Sequence, residues 1–304
     1  MATSQQFLVC DASTLANFKQ WASAISGWFA TAGWTQATDT GQVNWSTIST
    51  VPGSNVYVYE IWEPNDGLTN FFVKVEYGNV NTANAPAMRL SLGSSTNGAG
   101  TLTGFFTGTQ RTSIGSITPP STSTQYECDF SGAPGRMAVM LWRNAPNADN
   151  CTQVFAIERS VNSGGTYTSA YVTLYTAGGN SFQSICQNSL LLGVGPTVPN
   201  TINDAETGFA IRSLSFGNNS GSSSFNGGIP MDLATPVVGF FDYYGTSIGV
   251  ACALDIAEGV TFTATVYGST RTYMPSKNGT LLDVGPGRSV GANTAGFALC
   301  MRYD

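Results

Sequence analysis

Leu15-Ala16-Asn17-Phe18-Lys19-Gln20-Trp21-Ala22-Ser23-Ala24-Ile25-Ser26-Gly27-Trp28-Phe29-Ala30-Thr31-Ala32-Gly33-Trp34 is the one stretch of the chain with sustained helical periodicity. Leu15, Phe18, Trp21, Ala22, Ile25, Trp28, Phe29 and Ala32 recur at steps of three and four, which lines one face of an α-helix. Asp11 or Ser13 can supply the N-cap oxygen, and Gly33 the left-handed residue that ends a helix. The face carries two tryptophans and two phenylalanines, a patch that a folded chain does not leave in water. Leu15, Phe18, Trp21, Ile25, Trp28 and Phe29 are therefore predicted to form a structural core, packed on something broad. A sheet is the expected platform.

The rest of the chain reads as strands. Val56–Trp62 is rich in aromatic and β-branched residues and breaks at Glu63-Pro64-Asn65-Asp66-Gly67. Residues 71–77 alternate, with Val73, Val75 and Tyr77 on one side and Phe72, Lys74 and Glu76 on the other. Residues 88–92 alternate again before a Gly/Ser/Asn turn. Further candidates span residues 137–142, 154–158, 170–175, 209–216, 237–244, 248–254, 261–267 and 297–303. Short strands punctuated by Gly, Asn and Pro predict a mainly β (α+β) protein, with one N-terminal amphipathic helix on antiparallel, β-sandwich-like sheets. The expectation is one large domain over 1–304. The extended run Ser116–Thr124, with two prolines, marks a soft boundary between a helix-plus-sheet lobe (1–115) and a β lobe (125–304). Residues 218–228 read as a polar surface loop.

Composition narrows the chemistry. Only 10% of the 304 residues are charged, against about 25% in an ordinary soluble domain. The net charge is −6 and no basic cluster occurs, which excludes an electrostatic grip on nucleic acid. Histidine is absent, so imidazole-based triads and His-ligated metals are excluded too. No apolar run approaches the length of a spanning helix, so membrane insertion is not expected. The start, Met1 to Gln6, lacks the basic and apolar regions of a secretory signal. Six cysteines (Cys10, Cys128, Cys151, Cys186, Cys252, Cys300) lie far apart without a C-x-x-C pair. They read as small buried hydrophobes of a protein made in a reducing cytosol, the alternative being a disulfide formed after release from the cell.

The motif-like segments yield no catalytic, cofactor or metal site. Gly245-Thr246-Ser247-Ile248-Gly249 matches G-x-S-x-G, but a strand follows where that motif needs a helix, and no histidine base exists. Residues 285–291 are glycine-rich but lack the strand and helix that frame a phosphate loop. Paired carboxylates can cleave glycosides without histidine. Glu60, Glu63 and Asp66 cluster in sequence, with Glu63 and Asp66 reading as turn residues. Glu127 and Asp129 fall on one face of a strand and so cannot oppose each other. The Asn-rich stretch 144–150 holds one acid, thin for calcium. Tyr243 and Tyr244 are the candidate ligand aromatics, since sugars stack on exposed rings.

A series of segments in order carries a resemblance: residues 18–25, Ala32-Gly33-Trp34, Asp39-Thr40-Gly41-Gln42-Val43-Asn44-Trp45, Tyr59-Glu60-Ile61-Trp62, Lys74-Val75-Glu76-Tyr77-Gly78 and the glycine-rich turn from Gly93 to Gly104. Over residues 7 to 104, about a third of the chain, it resembles a family of uncharacterised structural proteins in the virions of tailed bacteriophages and prophages. The resemblance implies a role at the tail, neck, baseplate or fibre, without chemistry. The expectation is a non-enzymatic, cofactor-free virion protein that is assembled in the host cytoplasm and whose partners are its own copies and other virion proteins. The alternatives are a capsid decoration protein and, from another class, a module that binds or cleaves a host glycan.

Overall fold

In the computed structural model, which describes residues 1–79, 86–103, 111–114, 125–143, 153–161, 165–178, 181–188, 201–203, 210–212, 237–240, 246–253, 260–266, 269–275 and 296–304, the helix spans Leu15–Thr31 (α1). Its cap is Thr14, not Asp11 or Ser13. Thr14 is extended and its side chain accepts from the Asn17 N–H at 3.1 Å, satisfying one orphan donor of the first turn. Asp11 is occupied elsewhere: its carboxylate takes the backbone N–H and hydroxyl of Ser13 and the Asn17 amide, and its carbonyl takes the Trp21 indole. The C-terminus closes as expected on Gly33, at φ +84°. Gly33 N–H reaches Ala30 O and Trp34 N–H reaches Phe29 O, each at 3.0 Å. These two bonds make a Schellman motif, and the Trp34 ring folds back edge-on to Phe29.

Phe18, Trp21, Ile25, Trp28 and Phe29 are buried as predicted, whereas Leu15 is only half-buried. Leu15 opens the first turn, at the rim of the packed face.

The platform is two sheets, and α1 bridges them. A six-stranded sheet runs in the order Ala2–Val9, Gln125–Ala133, Arg136–Arg143, Gln153–Val161, Tyr167–Gly178, Ser181–Asn188. A five-stranded sheet runs Thr35–Gln36, Tyr57–Glu63, Phe72–Asn79, Pro86–Gly93, Arg111–Ile114. Trp28 stacks on Phe130 of the first, and Phe29 stacks on Trp62 of the second. Trp21 meets Tyr77 edge-on. Side chains from α1 and both sheets form one contiguous apolar cluster. Val73, Val75 and Tyr77, and likewise Met88, Leu90 and Leu92, point into it as their alternation predicts. The helix end lies close on the six-stranded sheet: a Cβ on Gly132 would stand 2.6 Å from Ala32 Cβ, so only glycine fits.

A second five-stranded sheet, Val237–Phe240, Ile248–Ala253, Gly296–Arg302, Ser269–Pro275, Phe262–Val266, is built from the C-terminal part of the chain. Its residues cover the opposite face of the six-stranded sheet, where Arg136, Glu158 and Ser131 are fully buried. Two small pairs, Ser95–Thr96 with Leu102–Thr103 and Thr201–Asn203 with Ala210–Arg212, complete the described strands. All pairings between the described strands are antiparallel, and an isolated bridge between Ser54 and Asn79 is parallel. The protein is therefore mainly β with a single described helix. The boundary segment 116–124 lies outside the described residues. Ala2–Val9 nevertheless pairs along its length with Gln125–Ala133, so strands from both sides of that segment build one sheet. No described helix is long and apolar enough to cross a membrane.

Candidate functional site

The acids are the groups to follow, since the chain has no histidine. Glu60 lies in Tyr57–Glu63, a strand whose middle is buried on both faces. Its side chain shares the inner face with Trp62 and meets four donors. Ser26 Oγ of α1 and Trp45 Nε1 each donate to Oε1 at 2.8 Å. Tyr77 Oη donates to Oε2 at 3.2 Å and Trp62 Nε1 at 3.4 Å. Burial raises the Glu60 carboxyl above its ordinary value, and the four donors pull against that rise. Burial beside Glu60 pushes the Tyr77 phenol well up as well. Every donor comes from a different stretch of sequence, and the segments 39–45, 59–62 and 74–78 meet here with Ser26 of α1.

The neighbouring segment 39–45 is fastened in the same way. Asp39 accepts from Thr96 Oγ1 at 2.8 Å and from Gly100 N–H at 2.9 Å, clasping the glycine-rich turn. Tyr59 Oη donates to Thr40 O at 2.6 Å, and Gln42 Oε1 takes the Ile61 N–H at 2.7 Å. The remaining polar groups of this motif thus hold loops to strands.

Glu60, Glu63 and Asp66, adjacent in sequence, are dispersed by the fold. Glu63 accepts from the Asn70 amide at 2.9 Å. Asp66 forms a two-pronged ion pair with Arg159 through Nε and Nη2, the geometry a planar guanidinium favours. Arg159 is itself buried, donates to Thr69 O at 2.8 Å and lies over the Phe71 ring. Glu127 and Asp129 do share one face, as their spacing predicts: the amide of Gln5 bridges both.

A second buried carboxylate was not legible in the sequence. Glu158, fully buried on the face toward the C-terminal sheet, accepts the backbone N–H of Thr246 and of Ser247 at 2.7 Å each, and the Thr246 hydroxyl at 2.5 Å. Arg302 Nη1 donates to that same Thr246 hydroxyl at 3.0 Å, and Tyr273 Oη donates to Thr246 O at 3.1 Å. Arg136, whose basicity burial lowers, donates to Ser131 Oγ, Arg302 O and Asp304 O. Asp304 in turn pairs with Arg302. Thr246 and Ser247 belong to the G-x-S-x-G match, and a strand, Ile248–Ala253, follows them as expected. Ser247 is buried with its N–H on a carboxylate, a joint between sheets and no nucleophile elbow.

Chemically, these groups fasten layers together. Donors already fill both oxygens of Glu60, and three donors converge on Glu158, so neither carboxylate faces an opposed acid across a substrate gap. Among the described residues no three His, Cys, Asp or Glu side chains gather into a metal-binding group. Cys10, Cys128 and Cys300 are buried, and burial pushes the Cys128 thiol well up, with Cys10 beside it. Tyr243 and Tyr244, the candidate ligand aromatics, lie outside the described residues, as do 144–150, 218–228 and 285–291. Comparison with protein-family models, with curated proteins and with solved structures gives no match to this chain.

Proposed function

We propose that this chain is a non-enzymatic structural subunit of a tailed-bacteriophage virion, self-associating at the tail, neck or baseplate. The observation that carries the reading is the use of the acids. Glu60, Glu63, Asp66, Glu127, Asp129 and Glu158, which include every acid weighed for glycoside chemistry, sit in hydrogen-bonded sets that join strands, loops and layers. A general acid and base need a substrate between them, and these groups face protein donors instead. The low charge of the whole chain adds to this. A surface of Ser, Thr, Asn, Gln and Gly repels neighbours weakly and hydrogen-bonds readily, which suits extended subunit contacts. The resemblance over residues 7–104 supplies the virion context.

The test is co-purification. Particles released from a host carrying the gene are banded by density and their proteins quantified by mass spectrometry. The chain is expected at a fixed stoichiometry with the intact particles, and purified protein is expected to leave esters, peptides and bacterial polysaccharides unchanged. Its absence from particles, or turnover that Glu60→Gln or Glu127→Gln abolishes, overturns the proposal.

A further inference from the structure

We infer that the Ala2–Val9 strand joins a second copy of this chain, continuing the six-stranded sheet antiparallel across a two-fold axis at Gln5. The inference deepens the assembly reading above and rests on it for the existence of self-association. Ala2–Val9 is the outermost strand, paired on one side with Gln125–Ala133. The Val9 N–H turns the other way, to Gln20 Oε1 of α1 at 3.1 Å. Successive residues of a strand turn their backbone groups to opposite sides. Phe7, Gln5 and Thr3 therefore direct theirs to the outer edge with Val9. All three side chains are exposed, Phe7 at 52%.

An edge of this kind is ordinarily guarded by Lys, Pro or an inward charge. Residues 2–9 contain no charged residue and no proline. The occupant follows from symmetry and charge. Gln20 closes the edge at Val9, and among the described residues nothing pairs with the outer side of Thr3, Gln5 and Phe7, a set symmetric about Gln5. An antiparallel copy sets Gln5 opposite itself and Phe7 opposite the partner's Thr3, so each outward residue gives one N–H and accepts another. Aromatic and β-branched side chains then meet across the seam, a favourable cross-strand pair. The strand brings no charged side chain to the seam. Its nearest acids, Glu127 and Asp129, stand one strand further in and hold the Gln5 amide.

Residues facing each other in a hydrogen-bonded antiparallel pair have Cα atoms about 5.5 Å apart, within disulfide reach. Gln5→Cys is therefore expected to give a covalent dimer on mild oxidation. Thr3→Cys and Phe7→Cys, which leave the Gln5 bridge intact, are expected to cross-link when mixed and not singly. Gln5→Pro removes one outward N–H at a position where an edge strand tolerates proline, and is expected to weaken self-association about tenfold or more with unchanged circular dichroism. Light scattering separates the outcomes. Oligomers in which neither Gln5→Cys nor the mixed pair cross-links overturn this seam and leave the assembly reading standing. Self-cross-linking of Thr3→Cys alone overturns the register. A monomeric wild-type protein removes both.

Discussion

The Trp28 indole lies flat on the Phe130 ring, with centroids 5.6 Å apart and planes 5° from parallel. This contact joins α1 to the six-stranded sheet, yet Trp28 Nε1 is buried without a hydrogen-bond partner. Trp21, two helical turns earlier, donates its indole N–H to Asp11 O at 3.1 Å. The two tryptophans are equally buried and differently satisfied. Trp28→Phe keeps an aromatic ring and removes an unpaired donor, whereas Trp21→Phe orphans a carbonyl. Chemical denaturation is expected to rank Trp21→Phe as the costlier by about 1–2 kcal/mol, with Trp21→Ala at about 3–5 kcal/mol. Equal costs for the two phenylalanine variants contradict the assignment.

Gly132 lets the C-terminal end of α1 touch the sheet. Gly132→Ala puts a methyl against Ala32 Cβ and the Phe130 ring, each closer than 3 Å. Overpacking of this kind costs about 1–3 kcal/mol. Gly27→Ala, on the exposed side of α1 with nothing within 4 Å, is expected to stabilise instead, by up to about 1 kcal/mol. Thermal melts of the pair give the sign of each.

Glu60 sets a pH dependence. Burial raises its carboxyl in the folded state, so the native protein keeps this proton to higher pH than the unfolded chain does. The contribution is present in full below the ordinary glutamate value and is lost as pH rises through the raised one. Glu60→Gln cannot titrate, and in either orientation it turns its amide N–H₂ toward one of the two indole donors, so it is destabilised by about 1–3 kcal/mol at low pH. The gap between wild type and variant is expected to narrow from acid toward neutral pH in urea melts. A gap that widens contradicts the sign.

Glu158 holds the C-terminal sheet to the six-stranded sheet through Thr246 and Ser247. Glu158→Ala leaves those buried N–H groups unpaired and takes the acid from beside Arg136 and Arg302, and is expected to cost about 3–5 kcal/mol. Glu63→Ala, which breaks one exposed amide contact, is expected to cost no more than about 1 kcal/mol. Denaturant midpoints of the two variants test the contrast.

Residue types with a strong period were legible in the sequence. The 3.6-residue spacing of Phe18, Trp21, Ile25, Trp28 and Phe29 gives α1 and its buried face, and alternation gives the inward side of 73–77 and 88–92. Ala2–Val9 was hidden because Thr3-Ser4-Gln5-Gln6 is an unbroken polar run: Leu8 is the one fully buried side chain of the strand, so there is no alternation to read. Ser269–Pro275 escaped similarly, its Ser, Thr and Arg residues reading as loop. The cap fell on Thr14 because Asp11, the better-known type of cap, was recruited to Ser13, Asn17 and Trp21. The two carboxylate joints needed the fold itself. Glu60 draws donors from α1, a loop and two strands, and Glu158 finds its own 88 residues away.

The most direct test of the account is the mass of the purified protein in solution, by light scattering across one to a hundred micromolar, a span chosen to bracket micromolar self-affinity. The account predicts a dimer or larger closed oligomer, dissociating on dilution or with Gln5→Pro. A stable monomer across the range, with no association with other virion proteins, contradicts it.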